Sequence, residues 1–244
     1  MIPAAATAPA CAPAVPDAEV PGALRVGGLV PLTTTDYPGR LAAVVFCQGC
    51  PWRCRYCHNP HLLPARGVTE IAWGDVLSFL ERRRGLLDAV VFSGGEPTAQ
   101  PAIVAAARAV RAMGFRIGLH TAGMYPRRLA RLLPLVDWVG IDVKAPFESY
   151  PGTTGAAHSG AAARDSLRLI LASGVDYECR TTVHPGLMNA DAVTRLAAAL
   201  AALGVNHYVL QECREPRNSR RLAPAAALDD RLGRQFATFS VRRA

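Results

Sequence analysis

The sequence predicts an α/β fold: a partial, open barrel of the TIM type, in which about six parallel strands alternate with helices. Three observations carry this expectation. From residue 41 onward, short β-rich apolar runs alternate with amphipathic stretches. No linker rich in Gly, Ser or Pro interrupts the alternation, so one domain is implied over 24–244. Polar and reactive residues follow the C-terminal ends of several strands, and their convergence suits a barrel mouth better than a flat sheet, whose ligands gather at a switch point.

The elements follow in order. LAAVVF (41–46) reads as a buried strand that ends in a Gly- and Cys-rich loop. Thr69 is placed to cap a helix that aligns Trp73, Val76, Leu77 and Leu80, and Gly85 to end it. AVVF (89–92) is the next strand, followed by a helix over 101–113 that turns Ile103, Val104, Val110 and Met113 inward. FRIGLH (115–120), WVGIDV (138–143), YECRTTV (177–183) and HYVLQEC (207–213) continue the strands, separated by helical patterns near 126–133, 160–173 and 190–203. Right-handed crossovers then bring the strands into parallel pairing.

Composition narrows the class. With 244 residues, 50% of them apolar and 19% charged, the chain can bury a full core without disulfide or metal staples. A disordered or fibrous protein is excluded. Apolar stretches such as Ala197–Val205 are far shorter than the roughly 18 to 20 residues of a membrane span, so no membrane partner is expected. Residues 1–23 are Ala- and Pro-rich, with no basic residue before Arg25, and read as a disordered extension rather than a signal peptide. A cytoplasmic, reducing setting follows, in which closely spaced cysteines indicate metal or catalysis. The net charge of +8 comes from arginine, Lys144 being the only lysine. Clusters at Arg82–Arg84, Arg127–Arg131 and Arg217–Arg221 have no interleaved aromatic residues, so nucleic acid is not an expected partner.

The strongest signal is FCQGCPWRCRYCHNPH (46–61). Cys50, Cys54 and Cys57 are separated by three and then two residues, which lets three thiolates face one centre. A structural zinc site would add His58 or His61 as a fourth ligand. A cubane cluster on three cysteines would instead leave one iron open to a substrate group. The loop alone leaves both readings standing.

With these residues, the chain resembles the radical S-adenosylmethionine superfamily, whose signature is a CxxxCxxC loop after the first strand with an aromatic residue before the last cysteine. Cys50, Cys54, Tyr56 and Cys57 match it, and SGGEP (93–97) looks like the family's GGE motif. The text GGLVPLTTTDYPGRLAAVVFCQGC, YCHNPHL, DVKAP and RTTVHPGL is most similar to activating enzymes of glycyl radical proteins, above all those of anaerobic ribonucleoside-triphosphate reductases. The resemblance implies one [4Fe-4S] cluster on Cys50, Cys54 and Cys57. It implies S-adenosylmethionine bound by Tyr56, Ser93, Gly94, Gly95, Glu96, Asp142, Lys144 and Gln211, with Lys144 and Arg180 at the reacting centre and Arg180 and Gln211 toward the bound substrate. It also implies a glycyl radical enzyme as partner and reduced flavodoxin or ferredoxin as electron donor. The chemistry expected is reductive cleavage of S-adenosylmethionine, followed by hydrogen-atom abstraction from a partner glycine.

The chain departs from the family where His120, Thr121, Ala122 and Gly123 replace Asp-Thr-Asn-Gly, which removes the Asp of a monovalent cation site. Cys47, Cys179 and Cys213 stand where Phe or Thr is usual, and read as core-filling thiols rather than a second cluster. Two other readings are carried forward. One is a radical enzyme acting on a small molecule, like the 7-carboxy-7-deazaguanine synthases. The other is a zinc-stapled binding module whose arginines hold an acidic partner.

Overall fold

The computed structural model describes residues 24–214 and 230–243. The N-terminal extension and Arg217–Arg221 lie outside the described residues. Eight strands form one sheet in sequential order: β1 (Val26–Thr33), β2 (Ala42–Cys47), β3 (Ala89–Gly94), β4 (Arg116–Thr121), β5 (Trp138–Asp142), β6 (Asp176–Val183), β7 (His207–Glu212) and β8 (Thr238–Arg242). Strands β2 to β8 pair in parallel, β1 runs antiparallel to β2, and β1 is not bonded to β8. The barrel is open between those two edges.

The six expected strands are β2 to β7. The two edge strands escape a periodicity reading for physical reasons. In β1, VGGLVPLT, two glycines and a proline erase the alternation, and proline is tolerated because an edge strand leaves backbone groups unpaired. In β8, TFSVR is five residues long, and only Phe239 and Val241 are apolar.

Period-two alternation sorts the strand residues onto two faces. Ala43, Val45, Val90, Phe92, Ile117, Leu119, Val139 and Ile141 face outward against the helices. Ala42, Val44, Ala89, Val91 and Trp138 form a smaller cluster inside the barrel with Tyr37, which stacks on Trp138 at 5.5 Å between ring centroids. Tyr37 belongs to the segment between β1 and β2, so this lead-in segment fills the lumen below the strands' C-terminal ends.

The helices are α1 (Trp73–Glu81), α2 (Ile103–Ala112), α3 (Pro126–Leu132), α4 (Tyr150–Thr154), α5 (Ser159–Ser173) and α6 (Ala190–Ala202). Thr69 does not cap α1, which starts after Ala72 without a side-chain cap. The reason is tertiary: Ile71 donates its backbone N–H to the Val26 carbonyl at 2.8 Å, which fixes it in an antiparallel bridge beside β1 just ahead of the helix. Trp73, Val76 and Leu80 are buried as their spacing predicts, and Gly85 takes a left-handed φ of 75° in the turn after the helix. Asn189 accepts from the Ala192 N–H at 2.9 Å and starts α6. Among the described residues, no helix is long and apolar enough to cross a membrane.

Candidate active site

The C-terminal ends of the strands surround a cavity of about 820 Å³, counting its open mouth. Cys50, Cys54, Tyr56, Cys57, Ser93, Gly94, Gly95, Asp142, Lys144 and Arg180 stand on its wall. Two of the anticipated ligand residues do not. Gln211 lines an adjoining cavity shared with His120, Asp142 and Arg180. Glu96 is 1% exposed and turned away.

The cysteine loop is built by backbone bonds at both ends. Gly49 N–H donates to the Leu62 carbonyl at 2.8 Å, and Cys50 N–H to the Leu63 carbonyl at 3.1 Å. Buried Gln48 holds the turn by donating to the carbonyls of His61 and Pro64 at 3.2 and 2.7 Å. Inside the loop, Arg53 N–H reaches the Thr154 carbonyl at 2.8 Å, and Trp52 meets Tyr150 edge-on at 5.9 Å. The SGGEP segment is laid directly on this loop. Gly95 N–H donates to the Cys47 carbonyl at 2.9 Å and Glu96 N–H to the Gly49 carbonyl at 3.0 Å. A Cβ on Gly95 would come within 2.4 Å of the Gly49 carbonyl oxygen, so only glycine allows the approach.

The three loop cysteines are free. Burial first, and Glu96 second, push the Cys50 thiol up to about 12, and burial raises Cys54 against the pull of Lys144. Among the described residues, no group of three or more His, Cys, Asp or Glu side chains is gathered closely enough to hold an ion. The donor set still fits a thiolate-ligated metal group: three soft donors share one wall with the buried Tyr56 hydroxyl, which has no hydrogen-bond partner. The histidines do not complete a zinc cage, because the His58 ring is bonded to the Arg214 carbonyl at 3.1 Å and exposed His61 is absent from the wall.

Opposite the cysteines lies a charged cluster. Arg180 donates Nε–H to Asp142 Oδ1 at 2.9 Å, and Lys144 Nζ is 3.7 Å from Oδ2. Burial opposes ionisation of Asp142, but Arg180 and then Lys144 outweigh it and hold its carboxyl below the usual range. Burial likewise works against the Lys144 charge, and Asp142 more than restores it. The guanidinium occupies the lumen because β5 has a glycine there: a Cβ on Gly140 would lie 2.8 Å from Arg180 Cζ. Lys144 Nζ lies 5.8 Å from the centroid of the Tyr56 ring, which links this cluster to the cysteine loop.

Glu96 takes a different position from the one its motif implies. Its Oε1 accepts from Thr98 N–H at 3.0 Å, Thr98 Oγ1 at 2.6 Å and Thr121 Oγ1 at 2.7 Å, and its Oε2 from Ala122 N–H at 2.9 Å. The side chain clamps the end of β3 to the end of β4. Glu96→Ala should therefore lower stability, since each buried donor left unpaired costs about 1–3 kcal/mol. A melting scan of cluster-free protein checks this, with a fall of several degrees expected. An unchanged melting point with weakened ligand binding would show direct contact instead.

Sequence reasoning did not anticipate Trp52, Asn59, Met124 or Thr182 on the cavity wall. Thr182 was within reach, because it shares the inward face of β6 with Arg180. The remaining three sit on loops whose paths no periodicity encodes.

A partial barrel that gathers a CxxxCxxC loop, a Gly-Gly turn and a half-buried Asp-Lys-Arg cluster at one mouth defines a class of enzyme. The chain belongs to the radical SAM superfamily, whose family model matches residues 44–208. It is 32% identical over 203 residues to a candidate glycyl-radical enzyme activating enzyme of Methanocaldococcus jannaschii, covering 80% of this chain and 81% of that one. It is 30% identical over 169 residues to the pyruvate formate-lyase-activating enzyme of Clostridium pasteurianum, covering 67% and 70%. Within the superfamily it stands among the glycyl-radical enzyme activating enzymes.

Solved structures agree on the fold. A radical SAM methyltransferase from Sphaerobacter thermophilus superposes with a TM-score of 0.65 at 19% identity, over 87% of this chain and 68% of that one. Escherichia coli QueE gives 0.58 at 16%, over 90% and 93%. Streptococcus suis SuiB bound to S-adenosylmethionine gives 0.60 at 11%, and this chain spans about half (48%) of its length while 81% of this chain is covered. The family leaves the zinc-stapled module without support.

Proposed function

We propose that this chain activates a glycyl radical enzyme, in particular an anaerobic ribonucleotide reductase, using S-adenosylmethionine bound beside one [4Fe-4S] cluster held by Cys50, Cys54 and Cys57. The observation that carries the reading is the single cavity that joins the three free thiols to the Ser93-Gly94-Gly95 turn and the Asp142-Lys144-Arg180 cluster. When bound, the cluster supplies one electron that breaks a carbon–sulfur bond of S-adenosylmethionine, giving methionine and a 5′-deoxyadenosyl radical that takes a hydrogen atom from glycine.

The chain's own residues bind, orient and exclude water. Ser93, Gly94 and Gly95 face the methionyl amino group. Lys144, fixed between Asp142 and the Tyr56 ring, presents a positive charge to the methionyl carboxylate. Arg180 spans both cavities and reaches toward the glycine-bearing loop, with Gln211 behind it. The open edge between β1 and β8 admits that loop, and a reduced flavodoxin or ferredoxin delivers the electron. The setting is cytoplasmic, in keeping with six free cysteines among the described residues.

The test is anaerobic incubation of reconstituted protein, reductant and S-adenosylmethionine with the cognate reductase. A glycine-centred doublet in the partner's electron paramagnetic resonance spectrum is expected. Formation of a deazapurine from a carboxytetrahydropterin, with no radical on any partner, would replace this reading with the small-molecule one.

A further inference from the structure

His120 lies on the walls of both cavities, within reach of Ser93 on β3, Arg180 on β6 and Asp36 in the lead-in segment. Its Nε2 is 2.9 Å from the Asp36 carbonyl oxygen in the lead-in segment. A carbonyl only accepts, so Nε2 carries the proton. Its Nδ1 is 3.3 Å from Ser93 Oγ, and in a neutral ring Nδ1 only accepts, so the Ser93 hydroxyl is the donor. The ring is held edge-on against Trp138 at 5.6 Å, and Trp138 in turn stacks on Tyr37 of the lead-in segment. The protonation state and the orientation of the ring are both set by its surroundings.

We infer that His120 is a positioning residue that turns Ser93 into a hydrogen-bond acceptor toward the cavity, and so selects the ammonium group of the bound ligand at that point. Ser93 has one proton, and His120 takes it. What remains toward the cavity is oxygen lone pairs, which receive an N–H donor and repel a carboxylate. The charged groups around the ring support the neutral form. Arg180 on β6 stands 3.5 Å from Nε2, with Asp142 on β5 and Asp36 on the lead-in segment nearby. Burial first, and Arg180 second, push the imidazole down to about 4, against the weaker opposite pull of Asp142. A doubly protonated ring would force the Ser93 hydroxyl to turn its own proton into the cavity. The lowered value keeps that state unpopulated at working pH.

The inference rests on the reading of the cavity as a site for S-adenosylmethionine, and two measurements separate the fates of the two. In the unreconstituted wild-type protein, nitrogen NMR of labelled histidine should find His120 with its proton on Nε2 and no titration between pH 5.5 and 8. A proton on Nδ1, or a ring titrating near the usual value of about 6.5, would overturn the inference whatever the ligand proves to be. Calorimetry under argon with reconstituted protein then measures S-adenosylmethionine binding to wild type, Ser93→Ala, His120→Ala, His120→Gln and the Ser93→Ala/His120→Ala pair. Each alanine variant should weaken binding by about ten- to a hundredfold, the range for a hydrogen bond to a charged group, and the pair no more than Ser93→Ala alone. Losses that multiply would sink the coupling. His120→Gln carries an amide N–H for Asp36 and an amide oxygen that can accept from Ser93, so it should recover part of the affinity and of the melting point that His120→Ala loses. Wild-type protein that binds no S-adenosylmethionine would remove the cavity reading and the ammonium assignment with it, leaving the tautomer as measured.

Discussion

Cys50→Ala, Cys54→Ala and Cys57→Ala should each abolish iron uptake in anaerobically reconstituted protein, where wild type takes up about four irons per chain. The effect is all-or-none for a physical reason. The loop is pinned through Gly49, Cys50 and Arg53 backbone bonds, so no neighbouring side chain can move in to replace a lost ligand. The nearest alternatives are occupied: the His58 ring is held at the Arg214 carbonyl, and Cys47 is fully buried and faces the outer core. Cys47→Ser, Cys179→Ser and Cys213→Ser should keep the iron, at some cost in stability: Cys47 and Cys179 are buried in the apolar core, and the buried Cys213 thiol donates to the Arg214 carbonyl at 3.4 Å. Iron assay and visible absorption read both series. Full iron content in Cys54→Ala would defeat the assignment, and more than about six irons per chain would revive a second cluster.

Arg180→Ala should cut the rate of glycyl radical formation by about a hundredfold or more while sparing iron content, since a displacement of about 1 Å at a reacting centre costs that much. Two donors of one guanidinium have acceptors, Nε–H at Asp142 at 2.9 Å and Nη2–H at the Gly140 carbonyl at 3.5 Å, while Nη1 stands 3.5 Å from the proton-bearing Nε2 of His120. Arg180→Lys restores the charge but not this fork, so it should recover little of the rate. The side chain is 10% exposed, so its removal also leaves Asp142 with Lys144 as its remaining cation. Burial then acts on Asp142 with less opposition, its carboxyl titrates higher than in wild type, and the defect deepens as pH falls. Spin quantitation of the partner against pH measures this. A wild-type doublet from Arg180→Ala would remove Arg180 from the reacting centre.

Much of the chemistry was legible because it is local. The spacing of Cys50, Cys54 and Cys57 lies within one loop, and the glycines of SGGEP are required by a backbone contact only one strand away. Strand patterning placed β2 to β7: β2 and β3 begin as short apolar runs buried on two faces, and β4 to β7 keep a buried stretch at the centre of a β-rich segment. Parity along β6 put Thr182 within reach beside Arg180, although it was not anticipated. These features depend on neighbours within a few residues, or on burial common to a whole strand.

Features set by contacts distant in sequence were not legible. β1 becomes a strand because β2 offers it an edge, against the preference of its own Gly, Gly and Pro. Thr69 loses its cap because Val26, which lies 45 residues before Ile71, offers Ile71 a backbone acceptor instead. Glu96 has the form of a ligand residue, but four donors from Thr98, Thr121 and Ala122 converge on its carboxylate and turn it into a clamp. The role of His120 depends on a carbonyl 84 residues away. The sequence by itself determined which chemistry this chain carries, since donor types and their short spacings are covalent facts. Only the tertiary structure decided which of those groups face the cavity and which are consumed in holding it, because a polar group bonds to whatever partner folding brings within about 3 Å.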